Sequence, residues 1–138
     1  MSVFLDTGVF VAFHNTRDAN HARALELIRT LVEGGLGTPY TSDYVFDEAV
    51  TVALIRTGRP ENALALGRMI LGETTAPFTA ILRVGEDGFK KAWTLFPQYA
   101  DRGLSFTDCT SIALLRERGI ESIVSFDADF DGIVPRIS

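Results

Sequence analysis

The sequence predicts a three-layer α/β domain built around a central, mostly parallel sheet of four to five strands. Three observations carry this prediction. Short apolar runs of strand length recur along the chain, helical periodicity bounded by capping residues fills nearly every interval between them, and two of the apolar runs end in an aspartate. With 138 residues, 46% of them hydrophobic, the chain has the size of one domain with one core, and residues 1–138 are expected to form it.

The first apolar run, Val3 to Leu5, is too short to alternate and reads as a buried strand that stops at Asp6. Val9, Phe10, Ala12 and Phe13 follow as a short helix, with Gly8 expected to let the chain turn tightly out of the strand. Asn20 is placed to cap a longer helix whose apolar positions Ala24, Leu25, Ile28, Leu31 and Val32 keep helical spacing, and Gly34-Gly35 ends it. Thr38 to Thr41 suits a second strand, and Ser42 then caps a helix from Asp43 to about Thr57 that Gly58 stops. Pro60 at a first helical position opens a helix to about Leu71, closed by Gly72. Phe78 to Val84 is a third strand, and Glu86 to Phe96 a helix that Pro97 is expected to terminate. Ser105 starts a last helix to Arg118, with Gly119 behind it. Glu121 to Phe126 is the fourth strand, and Ile133 to Ile137 a short fifth at an edge.

Composition narrows the function. Cys109 is the single cysteine, so there is no internal disulfide and no cysteine-based zinc cluster; it reads as a small buried hydrophobe. Asp6 stands too near Met1 for a signal peptide, and no run of about eighteen apolar residues appears, so a cytoplasmic protein without a membrane span is expected. A net charge of −5 excludes nucleic-acid binding by bulk electrostatics, leaving a metal ion or a local basic patch to do any such holding.

The stretch Leu5-Asp6-Thr7-Gly8 has the form of an aspartic-protease half-site, but that site needs an all-β setting, and here a helical pattern follows directly. In an open α/β sheet, ligands bind beyond the carboxyl ends of the strands, where Asp6 stands. Taken alone, Asp6 is an ordinary helix N-cap. Asp127, directly after the fourth apolar run, and Asp129 two residues on make an ordinary acidic turn when read in isolation. Asp108, three residues after Ser105, fits a capping box, with the Thr107 hydroxyl beside it. At about 100° per residue Asp43, Asp47 and Thr51 share a polar sector, whereas Glu48 falls with Tyr44, Val52 and Ile55 on an apolar one. An inward carboxylate needs a partner, for which an arginine is the simplest candidate. Each acid has a separate structural explanation, yet a single metal site accounts for Asp6, Glu48, Asp108 and Asp127 together.

Converging carboxylates raise one another's pKa values, a cost that a divalent cation removes. Oxygen-only ligation suits Mg²⁺ or Mn²⁺ better than zinc, and His14 and His21 are not needed as ligands. Such a cation activates water and stabilises a leaving oxygen, which points to phosphodiester hydrolysis.

Taken in order, Asp6 in "FLDTGVFVA", Glu48 in "SDYVFDEAVT", Asp108 in "SFTDCTSIAL" and Asp127 in "IVSFDADF" resemble the PIN domain, and in particular the toxin nucleases of VapBC toxin–antitoxin pairs. The resemblance extends over nearly the whole chain and its helix order. It implies a Mg²⁺- or Mn²⁺-dependent endoribonuclease, a homodimer, with those four acids as metal-binding and catalytic carboxylates. It also implies outer-shell help from Asp129, supporting hydroxyls at Thr7 and Thr107, and a small antitoxin that blocks the acidic cleft. Arg17, Arg23, Arg56, Arg59, Lys90 and Lys91 are candidates for positioning RNA, against a simpler reading as solvated surface charge.

Other classes fit parts of the pattern. A non-catalytic binding module would use the acids only as caps and salt bridges, and a PIN nuclease can process RNA without an antitoxin. A haloacid-dehalogenase-like phosphoryl site wants an aspartate where Gly8 stands, and a receiver-like site wants a late lysine, of which there is none after Lys91.

Overall fold

A computed structural model describes all residues, Met1–Ser138. Five parallel strands, β1 (Ser2–Leu5), β2 (Thr38–Ser42), β3 (Ala80–Leu82), β4 (Ser122–Val124) and β5 (Arg136–Ile137), form one sheet in the order β3-β2-β1-β4-β5. The helices are α1 (Thr7–His14), α2 (His21–Val32), α3 (Asp43–Thr57), α4 (Pro60–Leu71), α5 (Gly85–Tyr99) and α6 (Phe106–Arg118). This is the three-layer α/β/α arrangement expected, with every strand pair parallel.

The strand order places the site. From β1 the chain moves outward through β2 to β3, then returns across the sheet to β4 on the other side of β1. The crevice between the carboxyl ends of β1 and β4 is therefore the switch point at which open α/β sheets bind ligands. Asp6 follows β1, and its backbone N–H still donates to the Val124 carbonyl (3.1 Å), so the two strand ends stay locked side by side.

Capping chemistry places the helix starts near that edge. The Ser42 hydroxyl accepts from the Val45 N–H (3.1 Å), and α3 ends at Gly58 in the left-handed conformation (φ 66°) that favours glycine. Ser105 and Asp108 form a reciprocal capping box at the head of α6. Helices α3 and α6 meet above the sheet edge, where the rings of Tyr44 and Phe106 lie 6.3 Å apart.

Three local expectations differ from the structure. Asn20 precedes α2 but makes no side-chain cap bond; its own N–H donates to Asp18 Oδ1 (2.8 Å), closing a loop turn. Pro97 does not end α5, which runs on to Tyr99 and into a 3₁₀ turn at Ala100–Arg102. A proline this near a helix end removes one hydrogen bond, and the next turn is held by the Ala100 N–H on the Phe96 carbonyl. Gly8 makes no strand-to-helix turn: it is the second residue of α1, without positive φ, and a Cβ there would project into open space.

The core is continuous across both faces of the sheet, with Phe4, Phe10, Leu66, Ile112, Ile123 and Phe130 fully enclosed. No helix is long and apolar enough to cross a membrane. Phe4→Ala, which empties the centre of β1, is expected to lower stability by about 3–5 kcal/mol. Ile55→Ala, on the exposed side of α3, should change it by less than about 0.5 kcal/mol. Urea unfolding midpoints compare the two, and equal losses would contradict the burial described.

Candidate active site

Asp6, Glu48, Asp108 and Asp127 line one cleft of about 420 Å³ at the switch point, together with Thr7, Gly8, Asp18, Asn20, Arg56 and Ser105. The four acids come from four different segments: the end of β1, the middle of α3, the first turn of α6 and the turn after β4. None of the four has a lysine, arginine or histidine within salt-bridge distance, so the arginine partner that would have given Glu48 a purely structural role is absent.

The fold fixes one oxygen of each aspartate and leaves the other free. Asp6 sits at the N-cap position of α1 without capping it. Its Oδ2 accepts a 2.6 Å hydrogen bond from the Ser125 hydroxyl, while its Oδ1 is buried with no partner. Asp108 Oδ2 accepts from the Ser105 N–H (2.8 Å). Asp127 Oδ1 accepts from the Asp129 N–H (2.9 Å). The capping box expected of Asp108 and the acidic turn expected at Asp127 are thus real, yet each uses one carboxylate oxygen.

The four acids act on one another electrostatically. Burial pushes the Asp6 carboxyl up to about 7, and the charges of Asp108 and Glu48 push in the same direction against the Ser125 hydrogen bond. Burial likewise raises Asp108 to about 6, with Glu48 and Asp127 adding repulsion and the Ser105 contacts opposing it. An acid pushed this far by burial and like charge is poised for proton transfer or for a cation.

Thr7 is 6% exposed and lines the cleft; its hydroxyl is buried without a partner, and the support it gives Asp6 comes from its backbone N–H, which opposes the rise in the Asp6 pKa. Thr107 and Asp129 are not among the lining residues. Thr107 acts through its carbonyl, which accepts from the Thr110 and Ser111 hydroxyls (2.6 and 3.3 Å) inside α6. The Asp129 carboxylate lies against Gly103, whose positive φ (91°) and missing Cβ leave the space. Cys109 is fully buried, as a small hydrophobe would be.

Two contributors were not visible from sequence patterns. Ser125 joins two of the acids, donating to Asp6 and accepting the Asp127 N–H (3.0 Å) through one hydroxyl. Its position two residues before Asp127, at the end of a buried strand, was the available signal. Asp18, in the polar loop before α2, adds a fifth carboxylate to the cleft and pairs with Arg56 at 3.6 Å.

The donor set fits a hard cation bound in part through water. Two buried polar atoms without partners, Asp6 Oδ1 and Thr7 Oγ1, belong to residues lining the cleft, and its four unpaired acids supply only oxygen. No three acidic, histidine or cysteine side chains are drawn tightly enough to wrap an ion directly, so protein ligation alone would not complete a coordination shell. The largest cavity, about 1100 Å³ between the ends of α2 and α4, is mainly apolar and includes none of these acids.

A parallel α/β domain whose acidic cleft lies at the β1/β4 switch point defines the class. The chain belongs to the PIN-domain family, whose model matches residues 3–134. It is 28% identical over 131 residues to the 23S rRNA-specific endonuclease VapC20 of Mycobacterium tuberculosis, covering 93% of this chain and 91% of that protein. A VapC ribonuclease of Archaeoglobus fulgidus is 23% identical across 94% of this chain and 80% of its own length. The crystal structure of VapC20, described as a sarcin-ricin loop cleaving toxin, superimposes with a TM-score of 0.79 at 30% identity, over 93% of this chain and 92% of that one. A VapBC2 structure from Rickettsia felis shares the fold, with a TM-score of 0.66 at 16% identity over 99% and 98% of the two chains.

In the metal-free protein, Asp6 ionises near 3.8 when unfolded and near 7 when folded. The folded state holds the extra proton across that window, so this carboxyl's contribution to stability falls as pH rises from about 4 to about 7. Asp6→Asn removes the buried charge and keeps an oxygen for Ser125. It is expected to be about 1–3 kcal/mol more stable than the parent near pH 8 and no more stable near pH 3. Urea melts in EDTA at the two pH values measure this, and a variant no more stable at pH 8 would contradict the buried carboxylate described.

Proposed function

We propose that this protein is a divalent-cation-dependent endoribonuclease, acting as the toxin of a type II toxin–antitoxin pair, with Asp6, Glu48, Asp108 and Asp127 as its catalytic carboxylates. The observation that carries this reading is the meeting of four acids from four segments at the sheet's switch point, with no cationic side chain paired to any of them. Kinship with VapC ribonucleases supplies the reaction class.

Asp6, Asp108 and Asp127 would hold Mg²⁺ or Mn²⁺ partly through water, as the spacing of the acids requires. When bound, the cation supplies a Lewis acid that neutralises these charges, activates water and stabilises charge developing on the phosphate. Ser125, the Ser105 N–H and the Asp129 N–H keep the three aspartates oriented, and Asp129 contributes in that way instead of through its carboxylate. The Thr7 hydroxyl is buried without a partner beside the acids. Glu48 carries no competing hydrogen bond or ion pair and accepts a proton from the attacking water. Water adds to phosphorus as the bond to the 3′ oxygen breaks; that oxygen takes up a proton, leaving a 3′-hydroxyl and a 5′-phosphate.

The expected partners are an RNA substrate, a small antitoxin covering the acidic cleft and a second copy of the chain. The exposed rings of Phe89 and Trp93 on α5 offer apolar surface for such a contact. Residues 1–138 act as one nuclease domain, and the site of action is the cytoplasm.

The test is incubation of the purified protein with a mixed RNA pool and Mg²⁺ or Mn²⁺. Cleavage should occur, stop in EDTA, and fall by at least about 100-fold in Asp6→Asn and in Asp108→Asn. Cleavage that survives both substitutions would overturn the site. No cleavage and no Mn²⁺ binding would favour a non-catalytic binding module, whereas cleavage without growth arrest on expression would favour RNA processing without an antitoxin.

A further inference from the structure

Beside the acidic cleft lies a second cavity of about 460 Å³ with the opposite character, and the two share Val11 and Arg56 as walls. Arg17, Arg56 and Arg59 line it together with the polar side chains of Asn15 and Asn62, and no acid does. Arg17 and Arg59 have no carboxylate within 4.0 Å, and Arg56 has only Asp18 at 3.6 Å. The other cations singled out in the sequence behave differently. Arg23 is held by Glu26 and by the Ser138 carbonyl, both at 2.9 Å, Lys90 pairs with Glu86 at 3.2 Å, and Lys91 lies on a separate surface of α5 and α6.

The segments carrying the free arginines are anchored at the backbone. Asn15 Oδ1 accepts the Arg17 N–H (3.0 Å), and the Thr57 hydroxyl accepts the Arg59 N–H (3.2 Å). Unpaired guanidiniums on fixed turns, gathered around a concave site, are suited to bidentate recognition of an oxyanion. In a chain of net charge −5 this is a local positive island directly against the carboxylates. A nucleic-acid strand at the acids alone would meet repulsion, which a phosphate seated on the adjoining guanidiniums would offset.

We propose that the cavity walled by Arg17, Arg56 and Arg59 is a phosphate subsite, binding a backbone phosphate of the RNA strand next to the one at the four carboxylates. This rests on the ribonuclease reading and adds to it the residues that position the strand.

The experiment measures binding of a fluorescein-labelled, mixed-sequence single-stranded RNA as a function of NaCl, with Mg²⁺ present and Asp6→Asn as the background to prevent cleavage. Adding Arg17→Ala and Arg59→Ala should weaken binding about tenfold at low salt and flatten the log–log salt slope by about 0.7 for each phosphate no longer neutralised. Adding Arg23→Ala and Lys90→Ala instead removes the same formal charge at ion-paired positions and should leave the slope unchanged. In the protein with Asp6 intact, the Arg17 and Arg59 changes should raise KM with little change in kcat. Thermal melts check that each variant is folded. An unchanged slope and KM in the Arg17 and Arg59 variant, or an equal effect in the control pair, would overturn the subsite while leaving the nuclease reading standing. Should the protein with Asp6 intact cleave no RNA, the nuclease reading fails and calorimetric titration with inorganic pyrophosphate decides the pocket separately. Binding lost on Arg17→Ala and Arg59→Ala supports an oxyanion site, and no binding to the parent protein overturns it.

Discussion

Asp6 is held only 6% exposed at the carboxyl end of the central strand, and the cleft around it is organised by that burial. Its carboxyl has lost most of its water, faces the charges of Asp108 and Glu48, and gains only the Ser125 hydroxyl and the Thr7 backbone N–H in return. An aspartate so placed destabilises the fold whenever it is ionised without a counter-charge. No lysine or arginine supplies one. A cleft with five carboxylates among its walls is what remains, and a hard cation is the partner such donors suit.

The rest of the sheet edge keeps this unfavourable group in place. Ser125 bridges Asp6 to the Asp127 backbone, and Arg136 on the edge strand donates to the Ser125 carbonyl (3.1 Å), so β5 reaches the site through one residue. The capping box of α6 restrains Asp108 in the same way. Caps and turns here have two roles, since the same bonds that start a helix or a 3₁₀ turn also leave one carboxylate oxygen directed elsewhere. Just outside, the charge changes sign at Arg56, which belongs to both the acidic and the basic cavity.

Helix limits were legible where side-chain chemistry marks them. Ser42 with Gly58, Pro60 with Gly72, and Ser105 with Gly119 bound α3, α4 and α6 as the sequence predicts, because each pair solves a local hydrogen-bonding or backbone problem. Pro97 misled because its effect depends on how many turns remain, and Asn20 because a competing turn with Asp18 takes its place. The strand cores were found, but β3 and β4 are shorter than their apolar runs: Phe78 and Phe126 pack against the core from outside the ladder. That Asp6, Glu48, Asp108 and Asp127 line one cleft follows from positions readable in sequence: after strands, in a first helical turn and on the apolar sector of α3. Ser125, Asp18 and the clustering of Arg17, Arg56 and Arg59 could not be read there, since they depend on which loops the sheet order brings together. Thr107 and Asp129 adjoin site acids in sequence but are not among the cleft's lining residues.

If Asp6 is a buried carboxyl awaiting a cation, its own titration reports on that most directly. Carbon-13 NMR of the aspartate side chains, without divalent ions and then with saturating Mg²⁺, gives its pKa in both states. The expected value is near 7 without metal, falling below the ordinary 3.8 when Mg²⁺ is bound. A carboxyl that titrates near 3.8 without metal, or stays near 7 at saturating Mg²⁺, would contradict it.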